Sequence, residues 1–186
     1  TVCEGQQLDM DFEEREAVSI EEYMTMIDKK TAALLAGATI IGAIQGGADN
    51  QNLRRLFLFA TELGLALQLQ DDLLDSYGTE AQLGKRIGGD IIEGKKTFLT
   101  ITAQGRADEH TRKELIELLH NNTIDPKEKI ARVLAIYDSL GVKEKTEEEI
   151  DIHFSKAIAS LSSLTVAPER IEPMLELARS LMNRNR

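Results

Sequence analysis

The sequence predicts an all-α protein. Apolar residues recur three and four apart over most of its 186 positions, capping signals punctuate those stretches, and no run alternates convincingly enough to make a strand. Hydrophobic residues make up 42%, enough for a sizeable core in one domain. The charged residues, 29%, are too interleaved with them for wholesale disorder. No internal repeat is visible.

Residues 1–28 hold nine acids and one base, Arg15, and so carry −8 of the formal net charge of −10. Such a cluster reads as a solvated segment, and a loop is expected over residues 11–16. Ser19 and Glu22 then form an S-x-x-E capping box, in which each side chain satisfies the other's backbone donor. Tyr23, Ile27, Thr31, Leu34, Leu35, Ala38 and Ile41 follow at helical spacing until Gly46-Gly47 stops them. Asn50 can cap the next helix, expected over about residues 53–75, whose middle from Leu56 to Leu67 is apolar nearly all round and therefore predicted to be buried. Five glycines between positions 78 and 94 interrupt any period, so residues 77–96 read as a long loop with at most a short turn of helix. Helical patterns resume at about 97–104 and 109–121. Asp125, Pro126 and Glu128 supply an N-cap, an N1 proline and an N3 acid, and Gly141 closes that helix. A stripe of Ile150, Phe154, Ala157, Ile158, Leu161 and Leu164 marks another helix. The last follows Pro168, with Pro173 expected near its first turn.

Composition narrows the function. Aromatics are 4%, Trp is absent and the balance is acidic, which argues against nucleic-acid binding. No apolar run approaches the ~20 residues of a membrane span. A signal peptide is not visible either. The single cysteine, Cys3, excludes an internal disulfide framework and suits a reducing, cytoplasmic setting. Cys3 has no activating neighbour. His110, His120 and His153 are scattered on stretches that read as helix surface, without paired ligand spacing.

The chemistry gathers where the buried helix ends, in Gln68-Leu69-Gln70-Asp71-Asp72-Leu73-Leu74-Asp75. Asp71 and Asp75 are four apart and share a face, with Gln68 a turn below, whereas Asp72 is rotated by about 100°. Three carboxylates in the last turn of a helix oppose the macrodipole and repel one another. A hard divalent cation held by oxygen ligands reverses the sign of both effects. The loop that follows supplies Lys85, Arg86, Lys95 and Lys96 among glycines, near Asp90, and Lys30-Thr31 sits in the middle of an earlier helix. Carboxylates, a divalent cation and lysines describe a site for a polyanion held through Mg²⁺. With no Walker-type glycine loop, a nucleotide is not the favoured polyanion.

Taken in order, Gly5-Gln6-Gln7-Leu8-Asp9, Lys30-Thr31, the string Gln68 to Asp75, Gly84-Lys85, Asp90 and Gly94-Lys95-Lys96-Thr97 resemble the C-terminal part of the trans-isoprenyl diphosphate synthases, or polyprenyl synthetases. That family includes the farnesyl and geranylgeranyl diphosphate synthases, and the resemblance runs along the whole chain. It implies that residues 1–186 are the C-terminal part of one isoprenoid synthase domain, an antiparallel helical bundle around a deep cavity, here lacking its N-terminal helices. It implies a short-chain trans-prenyltransferase that condenses isopentenyl diphosphate with an allylic diphosphate, using Mg²⁺ to assist ionisation, and a homodimer. By position, Asp71 would be a direct Mg²⁺ ligand, with Asp72 and Asp75 binding through the metal or its waters. Lys30, Lys85 and Lys95 would hold the allylic diphosphate, Thr31 and Gln68 would steady the carbocation with their oxygen dipoles, and Gln6 and Asp9 would line the cavity near Lys30. Lys29 and Lys96 rank below these.

Asp71 to Asp75 is the sole DDxxD in the chain; the family's upstream aspartate-rich motif and its upstream basic residues are absent, and Leu67 stands where an aromatic residue often precedes the Gln. The chain opens at Thr1 without Met. The expectation is therefore a fragment that is inactive alone. A class I terpene cyclase fits less well, since its second motif would need Ser or Thr at Asp75 and Glu at Thr79. A non-catalytic helical partner subunit of a prenyl synthase is the reading from another class.

Overall fold

A computed structural model describes residues 1–79 and 87–183, and every regular element among them is helical. In chain order these are α1 (Val2–Glu13), α2 (Ile20–Ile27), a π-helical segment (Asp28–Ala32), α3 (Ala33–Gln45), α4 (Asn50–Tyr77), α5 (Gly89–Glu93), α6 (Phe98–Arg106), α7 (Glu109–His120), α8 (Pro126–Ser139), α9 (Val142–Ser162) and α10 (Pro168–Asn183). The positions 84–86, 184 and 186, among them Lys85, lie outside the described residues.

The expected caps form where the sequence places them. Ser19 and Glu22 make both reciprocal bonds of the capping box. Asp125 accepts from the backbone N–H of Lys127 and Glu128 with Pro126 at N1, and Gly141 follows Leu140 at φ +60. Helix α4 departs from expectation in being capped by Asp49, which accepts the Asn52 N–H at 2.8 Å; Asn50 is its first residue. Pro173 lies in the second turn of α10, one turn deeper than expected.

The acidic N-terminal segment is a second departure, because α1 includes positions 11–13 and only 14–16 fall outside it. Packing fixes this helix rather than amphipathic periodicity. Phe12 is buried at its end, and Gly5 presses on the π segment, where a Cβ would stand 2.3 Å from the Lys30 nitrogen. Gly64 of α4 meets the same segment, a Cβ there falling 2.6 Å from Ala32 Cα. Two glycines on different helices thus bring α1 and α4 against the stretch that carries Lys30 and Thr31. That stretch is a π-bulge inside a continuous rod of α2 and α3, a local rewinding common near functional sites.

Helix α4 spans 28 residues, roughly 42 Å at 1.5 Å per residue, and joins two hydrophobic clusters. The larger packs Tyr23, Ile27, Phe59, Leu63, Leu69, Phe98 and Leu161. The smaller holds Ile91, Leu99, Leu115, Val133, Tyr137 and Val142 around α5 to α9. Contrary to expectation, the middle of α4 is not buried all round: Phe57 and Leu58 are exposed, as are Leu34, Ile41 and Ile44 of α3.

Candidate active site

A cavity of about 150 Å³ opens where α2, the π segment, α4 and the α5–α6 connection meet. Its wall includes Lys30, Gln68, Asp71, Asp72 and Lys95 of the residues singled out above, together with Asp9, Asp90, Lys96 and Thr97. Tyr23, Met26 and Ile27 complete it, and these three are not legible as site residues in the sequence.

The α4 side is fixed by a chain of hydrogen bonds that is half-buried at one end and buried at the other. Thr31 Oγ1 donates to Gln68 Oε1 at 2.7 Å, and Gln68 Nε2 donates to Asp72 Oδ1 at 2.9 Å. The Tyr23 hydroxyl donates to the other oxygen, Asp72 Oδ2, at 2.6 Å. Gln68 and Asp72 meet because positions four apart stack on a helix. Tyr23 comes from 49 residues away in sequence, a tertiary partner that no local spacing announces. Burial pushes the Asp72 carboxyl up to about 7. Its bonds from Tyr23 and Gln68 oppose that, and the negative charge of Asp90 and Asp71 adds to it. Burial and the neighbouring Asp72 likewise hold the Tyr23 phenol well above its ordinary value, so it stays a donor.

The opposite wall is cationic but partly neutralised. Lys30 Nζ lies 2.7 Å from Asp9 Oδ2. Lys95 Nζ lies 3.0 Å from Glu93 and 3.3 Å from Asp90. Burial works against the Lys95 ammonium, but its bonds to Glu93 and Asp90 outweigh that and hold it above the usual lysine range. Lys96 is only 5% exposed, and burial lowers its pKa. The segment is held by Thr97, whose hydroxyl caps α6, and by Thr100, which donates to the Lys95 carbonyl at 3.0 Å. Beneath it, the buried Lys129 donates to the carbonyls of Ile92 and Leu119 at 3.0 and 2.6 Å, anchoring α5. Glycines at φ +77 and +70, Gly88 and Gly94, bracket that short helix.

Three expected site residues stand apart from the cavity wall. Gln6 is exposed on α1 and does not line it. Thr31 acts on it through Gln68 instead of lining it. Asp75, expected to share a face with Asp71, is 1% exposed and accepts the Asp90 N–H at 2.9 Å through Oδ2. The start of α5 draws Asp75 away from the cavity, and Asp72 takes the second place beside Asp71. Lys29 pairs with Glu4 at 3.4 Å, outside the wall. Among the histidines, His153 is a correction: it is buried, with Nδ1 at 2.6 Å from Glu62 on α4.

Among the described residues no three His, Cys, Asp or Glu side chains converge as a ready-made metal cage. The donors nonetheless fit Mg²⁺, which takes one or two carboxylates and fills its shell with water and phosphate oxygens. Asp71 and Asp72 are adjacent oxygen donors, and the raised proton affinity of Asp72 marks a buried negative charge short of a counter-cation.

The polyprenyl synthetase family model matches residues 1–137. The short chain isoprenyl diphosphate synthase of Methanothermobacter thermautotrophicus is 42% identical over 175 residues, which cover 94% of this chain and 50% of that relative. A crystal structure of geranylgeranyl pyrophosphate synthase matches with a TM-score of 0.91 at 35% identity, covering 100% of this chain and 57% of the other. A geranylgeranyl pyrophosphate synthase from Corynebacterium glutamicum, in complex with isoprenyl diphosphate and magnesium, matches with a TM-score of 0.90 at 29% identity, covering 99% of this chain and 52% of that one. The chain spans about half the length of the curated relatives it matches.

Proposed function

The chain belongs to the polyprenyl synthetase family, and from that premise we propose that the whole protein is a trans-prenyltransferase of the short-chain class, joining an allylic diphosphate to isopentenyl diphosphate. The observation that carries this reading is one cavity whose wall gathers Asp71 and Asp72 from one helix with Lys30, Lys95 and Lys96 from two other segments. The C. glutamicum enzyme, solved with isoprenyl diphosphate and magnesium, supports the same ligands here.

Mg²⁺ would be held by Asp71 and Asp72, and when bound it supplies positive charge that offsets the diphosphate oxygens as the allylic C–O bond ionises. The chain's own residues do the rest. Lys30 and Lys95 reach the diphosphate as point charges once it competes for them with Asp9 and with Asp90 and Glu93. Gln68 lines the cavity with its amide, whose oxygen dipole stabilises the developing carbocation, and the Thr31 hydroxyl orients that amide from behind. Tyr23 and Gln68, by donating to Asp72, favour its carboxylate form against burial. Met26 and Ile27 give the cavity its apolar wall, which keeps water from the cation.

The exposed Leu34, Ile41, Ile44, Phe57 and Leu58 suit a homodimer interface. No described helix is long and apolar enough to cross a membrane, and the proposed site of action is the cytoplasm. Product formation from labelled isopentenyl diphosphate tests the reading, comparing this chain with a form carrying the upstream region of its relatives. The longer form is expected to turn over and the 186-residue chain to be inactive. Turnover by neither supports the partner-subunit reading instead, and light scattering on the same samples reads the dimer.

A further inference from the structure

Lys129 on α8 is 2% exposed and takes no part in the chemistry proposed for the cavity. A lysine buried that deeply is normally paired with an acid. Among the described residues this one has none, and it donates instead to two backbone carbonyls, Ile92 at 3.0 Å and Leu119 at 2.6 Å. Ile92 lies in the last turn of α5 and Leu119 in the last turn of α7, where helix carbonyls lack an intrahelical partner. The next residue, Ile130, reaches the other end of α5, since a Cβ on Gly88 would collide with its Cδ1. Helix α5 cannot fix itself. It has five residues, with left-handed glycines before and after it. Yet it carries Asp90 on the cavity wall, and the Asp90 carbonyl accepts the Lys95 N–H at 2.9 Å while its carboxylate lies 3.3 Å from Lys95 Nζ. From α4, Asp75 holds the start of α5, accepting the Asp90 N–H on its carboxylate at 2.9 Å and the Gly88 N–H on its carbonyl at 2.6 Å.

We propose that Lys129, with Ile130 beside it, is a positioning residue of the reaction: the pair sets α5, and through it Asp90 and Lys95, at the cavity wall. The inference rests on the prenyltransferase reading of that cavity. Neither residue lines the cavity, so each acts through α5. The link is short. Lys129 grips the Ile92 carbonyl, and Lys95 follows within one turn, tied by backbone and side chain to Asp90. A shift of about 1 Å in α5 therefore displaces both the lysine and the acid that orients it, enough to be felt in catalysis. A cation suits this place because two helix-end carbonyls converge there, each with partial negative charge. Methionine, of similar length, would fill the volume and leave both carbonyls buried without that donor.

The test is steady-state turnover of labelled isopentenyl diphosphate with an allylic diphosphate by the full-length protein and its variants, with thermal melts of the same samples. Lys129→Met is expected to melt lower and to raise the KM for the allylic diphosphate roughly tenfold, the low end of what losing a supporting hydrogen bond costs a site. Ile130→Ala, a milder change, raises the same KM about threefold. Asn52→Ala loses its bonds to Thr165 near the opposite end of α4, and is expected to melt lower with KM at the parent value. A merely structural role for Lys129 would follow that control, with apparent kcat falling in step with the folded fraction and KM unmoved. An unchanged KM in Lys129→Met, or in Ile130→Ala where Lys129→Met does not fold, overturns the inference and leaves the prenyltransferase reading standing. Absence of turnover by the parent protein overturns both.

Discussion

The two faces of α4 solve the same problem in opposite ways. Away from the cavity, its polar groups find partners on α9, α10 and the turn between them. Asn52 exchanges hydrogen bonds with Thr165, Glu62 meets His153, and Gln70 donates to the Met182 carbonyl. Toward the cavity, Asp72 has two neutral donors and, among the described residues, no cation, and its carboxyl is pushed up to about 7. On the face away from the cavity Asn52, Glu62 and the Gln70 amide nitrogen are matched within the chain, although among the described residues Gln70 Oε1 is not, whereas Asp72 keeps a charge deficit that a ligand can fill. Lys129 and Lys96 repeat the contrast among the cations.

The contrast can be broken most forcefully on the matched side. His153→Ala leaves the half-buried Glu62 carboxylate without its 2.6 Å partner. A loss of about 3 kcal/mol is expected, read as a ~6–12 °C fall in melting temperature. Pyrophosphate affinity of the folded protein is expected to stay at the parent value, and a loss would make this side part of the site.

A smaller effect is expected from Tyr23→Phe, which removes the 2.6 Å donor to Asp72 without opening space. That bond holds the carboxyl down against burial, so its loss raises the proton affinity further. The acid limb of the rate profile should move to higher pH, with kcat on the alkaline plateau within roughly threefold of the parent. A uniform fall across the profile would mean that Tyr23 acts on something other than the Asp72 charge.

Local chemistry was legible and long-range partnership was not. The capping box at Ser19 and Glu22, the Asp125-Pro126 start and the Gly141 stop depend on neighbours within a few positions, and each forms as written. The Gln68–Asp72 bond is also local, joining positions four apart, but the sequence reading set Gln68 below Asp71 and Asp75 and turned Asp72 away. Helix α1 escaped detection because its docking depends on Gly5 meeting a backbone 25 positions away, not on an apolar stripe. His153 read as surface because Glu62 lies 91 residues from it, and Tyr23 read as core because Asp72 lies 49 residues on. The ion pairs of the lysines were not legible either. Adjacent Lys95 and Lys96 look alike in sequence, and only the folded chain shows that, among the described residues, Lys95 pairs with Asp90 and Glu93 while Lys96 makes no ion pair.

The central claim is that Asp72 holds an uncompensated buried charge which Mg²⁺ and diphosphate together relieve. Burial pushes its carboxyl up to about 7 from the ordinary 3.8, so between those values the native state holds a proton that the unfolded chain has released. This contribution to ligand-free stability is present below about pH 4 and is lost as pH rises toward 7. The deciding measurement is the melting temperature of the parent and of Asp72→Asn across that pH range, without and with Mg²⁺ and inorganic pyrophosphate. The account predicts that Asp72→Asn flattens the ligand-free decline and abolishes the Mg²⁺-dependent stabilisation seen in the parent. An unchanged decline, or equal stabilisation of both proteins by Mg²⁺ and pyrophosphate, would contradict it.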